Sequence, residues 1–268
     1  MLKWLALGIV IVLVFFGLLF FSLDVFDIDE DFRLHLPSDI INTVLIFAVA
    51  VSVVGIAART YAVTGSPPLL WLSCGALAFG VCGLLRGWFA GQGLNVVIVS
   101  YDGAALLASV LHLIGASLCM AKPHRTELVL SRKWWVILAG YLGVLVGIAL
   151  VAWLAHQSVI PPFHVPGEGP TLLRAVIRWI AIFLFLAAST ICFGVYFKFR
   201  TDFHYWYSLG LVLFTFGLIF MSLGSIDSRV AWVGLASQYA GGIYLFVAVL
   251  GAYKLAGAGS RNYLNLPP

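Results

Sequence analysis

"YFKFRTDFHYWYSLGLVLFTFGLIFMSLGS", residues 196–225, sets a basic, aromatic-rich turn against a long apolar run. A run of about 20 apolar residues spans a hydrocarbon core of roughly 30 Å. Lys198 and Arg200 mark the end of one span, and the next begins at the aromatic cluster beside them. The same cadence recurs along the chain. Hydrophobic residues make up 62 % and charged residues 10 % of the sequence, whereas soluble domains are about 25 % charged. With a mean hydropathy of +1.06, the composition predicts an all-α, polytopic transmembrane bundle.

Eight spans are expected, at about 2–23, 39–60, 68–89, 102–121, 134–155, 172–197, 205–225 and 230–253. The first reads as a retained helix, because no small-x-small cleavage motif closes it before the acidic segment 24–31. Prolines punctuate the connections: Pro67 and Pro68 open the third span, Pro123 follows the fourth, and Pro161, Pro162, Pro166 and Pro170 fill the longest connector.

Charge orients these spans. With a cytoplasmic N-terminus, ten of the fifteen basic residues fall inside: Lys3, Arg59, Lys122, Arg125, Arg132, Lys133, Lys198, Arg200, Lys254 and Arg261. Arg33, Arg86, Arg174, Arg178 and Arg229 fall outside with nine of the eleven acids. This positive-inside bias predicts a multi-pass chain of the cell inner or plasma membrane with both termini cytoplasmic. The basic residues sit in short juxtamembrane turns, which excludes a nucleic-acid surface.

Two halves share one plan. Residues 1–130 form a first four-span repeat, 131–256 a second, and 257–268 a short cytoplasmic tail. An even number of spans per unit gives the repeats parallel orientation. Within them, Gly75, Gly80 and Gly83 in the third span correspond to Gly210, Gly217 and Gly224 in the seventh.

Few ionisable residues lie within the spans, and these are the candidates for function. An outer-leaflet cluster of Asp39, Asn42, Arg86, Asp102, Arg174, Arg178, Asp227 and Gln238 is expected either to hold a small polar or anionic ligand or to lock the bundle as an ion-pair lattice. Asp102 at the start of the fourth span reads as an interfacial helix cap or as part of that cluster. His112 lies ten residues further, about 15 Å along the axis and near mid-membrane, so the two do not meet. His112 is expected to hydrogen-bond to another helix or to serve as a ligand or proton relay. The ligand-binding candidates are therefore Arg86, Asp102, His112, Arg178, Asp227 and Gln238.

Catalytic and cofactor chemistry find little footing. HExxH, GxSxG, Walker and Rossmann signatures are missing, so no catalytic residue, no resident cofactor and no metal centre is expected. His35, His156, His164 and Glu168 offer a weak alternative metal or ligand pocket on the outer connectors. Cys74, Cys82, Cys119 and Cys192 lie within spans and read as apolar-like thiols. Trp71, Trp134, Trp135, Trp153, Trp179, Tyr205 and Trp206 read as interfacial anchors.

The segments "LLASVLHLIGAS" (106–117), "GVYFKFRTDFHYWYSLGLVLFTFGLIF" (194–220) and "GGIYLFVAVLGAY" (241–253) give the chain a resemblance to MASE-type membrane-associated sensor modules of bacterial and archaeal signalling proteins, over roughly residues 1–255. The resemblance implies a regulatory module that receives a small molecule or lipid and passes the signal to a cytoplasmic or integral-membrane partner, with a homodimer among the arrangements expected. In such proteins an effector follows the last span; here 254–268 is a short polar tail. Two alternatives stay open. An accessory subunit of a membrane complex would use the glycine faces to pack neighbouring helices, and a small-solute transporter would need an aqueous path and broken helices near the midplane.

Overall fold

The computed structural model describes residues 46–88, 93–120, 130–224 and 228–257. These form seven α-helices: α1 (Ala48–Thr64), α2 (Pro67–Trp88), α3 (Leu94–Met120), α4 (Leu130–His156), α5 (Leu172–Phe199), α6 (Asp202–Leu223) and α7 (Arg229–Gly257). A two-stranded hairpin, β1 (His164–Val165) and β2 (Gly169–Pro170), interrupts the α4–α5 connector. The expected first span, the opening of the second, and residues Asp39, Asn42, His35 and Asp227 lie outside the described residues. Five of the helices are long and apolar enough to cross a membrane, while α1 and the apolar part of α2 are shorter. The chain is thus a multi-pass, all-helical membrane protein.

Local chemistry explains the breaks. Gly65 ends α1 in the left-handed region (φ 69°), donating its N–H to the Tyr61 carbonyl, and Pro67 then opens α2, where a missing N–H costs nothing. Arg200 takes the same left-handed cap after α5, its guanidinium lying over the rings of Tyr196 and Phe197. In the outer connector, Gly167 and Gly169 have φ of 85° and 92°, the turn geometry that glycine adopts without a Cβ penalty. The hairpin is fastened to α3 by Asn95, whose side-chain oxygen accepts the N–H groups of Phe163 (2.8 Å) and His164 (3.3 Å).

Helix α3 differs from expectation in its start. It begins at Leu94, eight residues before the expected position, so Asp102 lies about 12 Å inside the helix. The interfacial-cap reading of Asp102 is therefore corrected. At 27 residues α3 is about 40 Å long, more than a bilayer core requires; its first turns project towards the hairpin and share a small apolar core with Ala155 and Phe163.

Packing runs α6 on α7, α2 on α3, α3 on α5, α5 on α6, α1 on α2 and α1 on α7, with α4 lying against α2 and α3 at the side. Glycines set the closest approaches. A Cβ on Gly210 would meet the Gly241 carbonyl oxygen at 3.0 Å, and one on Gly241 would meet the Gly210 oxygen at 2.9 Å. One turn of the pattern further on, Gly217 and Gly234 stand in the same reciprocal relation, at 2.9 and 2.7 Å. Both helices thus repeat glycine every seven residues along one antiparallel seam, bringing backbones into direct contact. Gly80 seats Ala50 of α1, and Gly83 seats Ile46, two residues before α1, in the same manner. These glycine contacts are consequently filled from within the chain.

Overpacking of such a contact costs about 1–3 kcal/mol. Gly217→Ala is expected to lower stability by that amount in thermal or denaturant unfolding in micelles. Gly194→Ala, on an open face with nothing within 4 Å of the added carbon, is expected to be neutral or to stabilise by about 0.5–1 kcal/mol.

Candidate functional site

At one end of the bundle, three charged side chains meet where α3, α5 and α6 converge. The Asp102 carboxylate is shared: Oδ2 accepts from Arg174 Nε at 3.1 Å and Oδ1 from Arg178 Nε at 2.7 Å. Asp102 is 1 % exposed, Arg174 8 % and Arg178 6 %. The two arginines are four residues apart on α5, which places both on one helical face. Thr171 caps that helix, its hydroxyl accepting from Arg174 N. A charge buried in this way is held only when paired and hydrogen-bonded.

The network continues across the bundle. Arg178 Nη1 donates to the Met221 carbonyl of α6 at 2.7 Å, near the helix end where carbonyls lose their intrahelical partners. The Met221 sulfur accepts from the Tyr101 hydroxyl at 3.2 Å and from Gln238 Nε2 at 3.4 Å. Tyr101 and Gln238 lie 2.6–2.9 Å apart through both polar atoms of the amide. A connected polar path thus links Asp102 on α3, Arg178 on α5, Met221 on α6 and Gln238 on α7.

His112 forms a second, separate centre. It is fully buried, its Nδ1 lies 2.7 Å from the Tyr207 hydroxyl, and that hydroxyl also reaches the Leu72 carbonyl at 3.3 Å. The expected cross-helix hydrogen bond is present, with Tyr207 as its partner. Gly75 makes room for the ring, since a Cβ there would lie 2.8 Å from Nε2. Nε2 itself has no hydrogen-bond partner. Packed against Gly75 and Phe185, this nitrogen faces protein rather than an open chamber.

Of the sequence candidates, Asp102, Arg178 and Gln238 come together, joined by Arg174, while His112 stands apart. The side chain of Arg86 and all of Asp227 lie outside the described residues. Tyr101, Tyr207 and Met221 are the members that the sequence left unmarked; Tyr101 adjoins Asp102, and Tyr207 was hidden in an aromatic cluster resembling an interfacial belt. Trp135, Trp153 and Trp179 are exposed as anchors should be, whereas Tyr205 is buried, its ring tilted at 43° against that of Tyr196, which corrects its anchor reading. Cys74, Cys119 and Cys192 are buried free thiols. Among the described residues no group of three or more His, Cys, Asp or Glu side chains can hold a metal ion; His156 and Glu168 are exposed.

Two substitutions test these pairings. Asp102→Asn strands two buried guanidinium groups and is expected to cost about 3–5 kcal/mol, whereas Asp102→Leu with Arg174→Met and Arg178→Met should recover most of that loss. Unfolding in micelles measures both; recovery failing in the triple variant would mean that the charges do more than compensate one another. Tyr207→Phe is expected to cost about 1–3 kcal/mol, and much less in a His112→Phe background, where no ring nitrogen remains to be satisfied.

No curated protein and no solved structure is significantly similar to this chain. The MASE3 family, a membrane-associated sensor domain, matches residues 34–253. That span contains the shared carboxylate, both arginines, the Tyr101–Gln238 pair and the His112–Tyr207 pair. The polytopic helical fold and the family match agree on a sensory role in the membrane rather than a catalytic one: the chain belongs to the MASE3 membrane-associated sensor domains.

Proposed function

We propose that the chain receives a small molecule or lipid near the outer leaflet and relays its presence to a signalling partner on the cytoplasmic side. The observation carrying this reading is the polar path from Asp102 through Arg178 and the Met221 carbonyl to Gln238. It begins at the outer end of α5 and reaches α7, the helix whose far end carries Lys254 on the basic-rich side. A ligand that draws Arg178 away from Met221 alters the seating of α6 and α7 together. Such a ligand shifts the equilibrium only by its difference in affinity for the two arrangements.

The packing order supports an eight-span duplication, and the bias of basic residues supports both termini in the cytoplasm of a cell-membrane protein. The contact of α2 with α3 is matched by that of α6 with α7, that of α1 with α2 by α5 with α6, and that of α3 with α5 by α7 with α1. These are the correspondences that two parallel four-span repeats, 1–130 and 131–256, would produce. The site extends to Arg86 and Asp227 in this reading. A homodimer would place its contacts on α4, whose outer face exposes Trp135, Val146 and Trp153.

The relay is tested by spin labels at Phe197 and Tyr253, both exposed near the far ends of α5 and α7, in the full chain in lipid nanodiscs. Arg178→Lys, which keeps the charge but loses the fork that joins Asp102 to Met221, is expected to shift the interspin distance distribution. Tyr207→Phe is expected to leave it in place. Superimposable distributions for wild type and Arg178→Lys would remove the basis of the relay.

A further inference from the structure

Among the described residues, the outer cluster does not balance its own charge. Two guanidinium groups face one carboxylate, and both Asp102 oxygens are already engaged by the Nε atoms of Arg174 and Arg178. Helix polarity adds to the imbalance. Arg174 is the third residue of α5, whose first turn contains no acid, and the N-terminal end of a helix carries partial positive charge that favours anions over cations. Two arginines at that end are placed against the preference, and only one negative partner offsets them.

Hydrogen-bonding capacity is left over at the same place. Arg178 uses Nε for Asp102 and Nη1 for the Met221 carbonyl. Arg174 uses only Nε on a side chain; its terminal nitrogens Nη1 and Nη2 have no partner among the described residues. The residue is 8 % exposed, and its side chain keeps 10 % of its surface accessible. A planar guanidinium that is fixed at Nε and open at its other edge is pre-oriented for two parallel bonds to a carboxylate or phosphate. The hairpin caps this end of the bundle, tied to α3 through Asn95 and closed onto α5 by the Thr171 N–H to Phe163 oxygen bond of 3.0 Å.

We infer that the open edge of Arg174, backed by Arg178 and the N-terminal turn of α5, binds one anionic oxygen group, a phosphate or carboxylate, at the outer end of the bundle. The inference rests on the sensory reading for its biological sense but not for its chemistry. Among the described residues the site supplies one uncompensated positive charge, so it takes a single anionic head per chain. A lipid phosphate and a free anion share the required chemistry, and the position near the start of α5 admits either.

The test uses the full chain in nanodiscs of phosphatidylcholine, with inorganic phosphate and acetate titrated by calorimetry, and in nanodiscs containing phosphatidylglycerol, with retained lipid counted by native mass spectrometry. One equivalent of anion or phosphatidylglycerol is expected. Arg174→Gln should weaken it about tenfold or more, the loss of a charge-assisted hydrogen bond, and Arg174→Lys should weaken it less. Saturable binding of the free anions identifies a soluble ligand, and retention of phosphatidylglycerol alone identifies a lipid; either supports the inference. Binding of neither by the wild type, or binding unchanged in both Arg174 variants, overturns it. So does binding that appears only after Asp227→Asn, which would mean that the chain's own carboxylate, outside the described residues, fills the site. The spin-label distances recorded with and without bound anion separate this result from the relay: binding without a shift leaves the site standing and removes the proposed signalling.

Discussion

A carboxylate that must serve two guanidinium groups inside an apolar bundle constrains everything around it. Removing an ion from water costs several kcal/mol even after the protein relaxes, so the helices carrying Asp102, Arg174 and Arg178 have little freedom in depth or rotation. The 2.7 Å bond from Arg178 to Asp102 fixes α5 against α3. The bond from the same guanidinium to the Met221 carbonyl then fixes the end of α6. Three helices are located by one buried acid.

The polar centres divide the membrane thickness between them. At one end, charge meets charge; towards the middle, His112 and Tyr207 form a hydrogen-bonded pair walled by Phe185 and Gly75. Neutral hydrogen bonds between membrane helices contribute modestly, about 1 kcal/mol, so the His112–Tyr207 bond is a weak tie between α3 and α6, while the ion cluster fixes α3 against α5.

Much of this was legible in the sequence, and the failures have physical causes. Apolar runs locate helices well because the bilayer demands a minimum length, and α2, α4, α5, α6 and α7 lie within a few residues of the expected spans. The same demand misled at α3. Twenty residues suffice to cross, but "LNVVIVSY" extends the helix outward, and that extension turns Asp102 from a cap into the centre of the site. The position of Arg178 two turns into its span asks for snorkelling or an acidic partner, and the acid is Asp102. Which acid it is depends on helix rotation, to which composition is blind. Tyr101 with Gln238 and His112 with Tyr207 join residues 137 and 95 positions apart, a separation that no local pattern encodes.

The glycine seam between α6 and α7 has its own mechanical meaning. A seven-residue repeat on helices that turn every 3.6 residues drifts around the axis unless the pair wraps with a left-handed twist. Two coiled rods in backbone contact cannot slide past each other without each bump climbing out of its notch. They are therefore locked in one register, and axial sliding of α6 on α7 meets a steric barrier at each of the two glycine crossings.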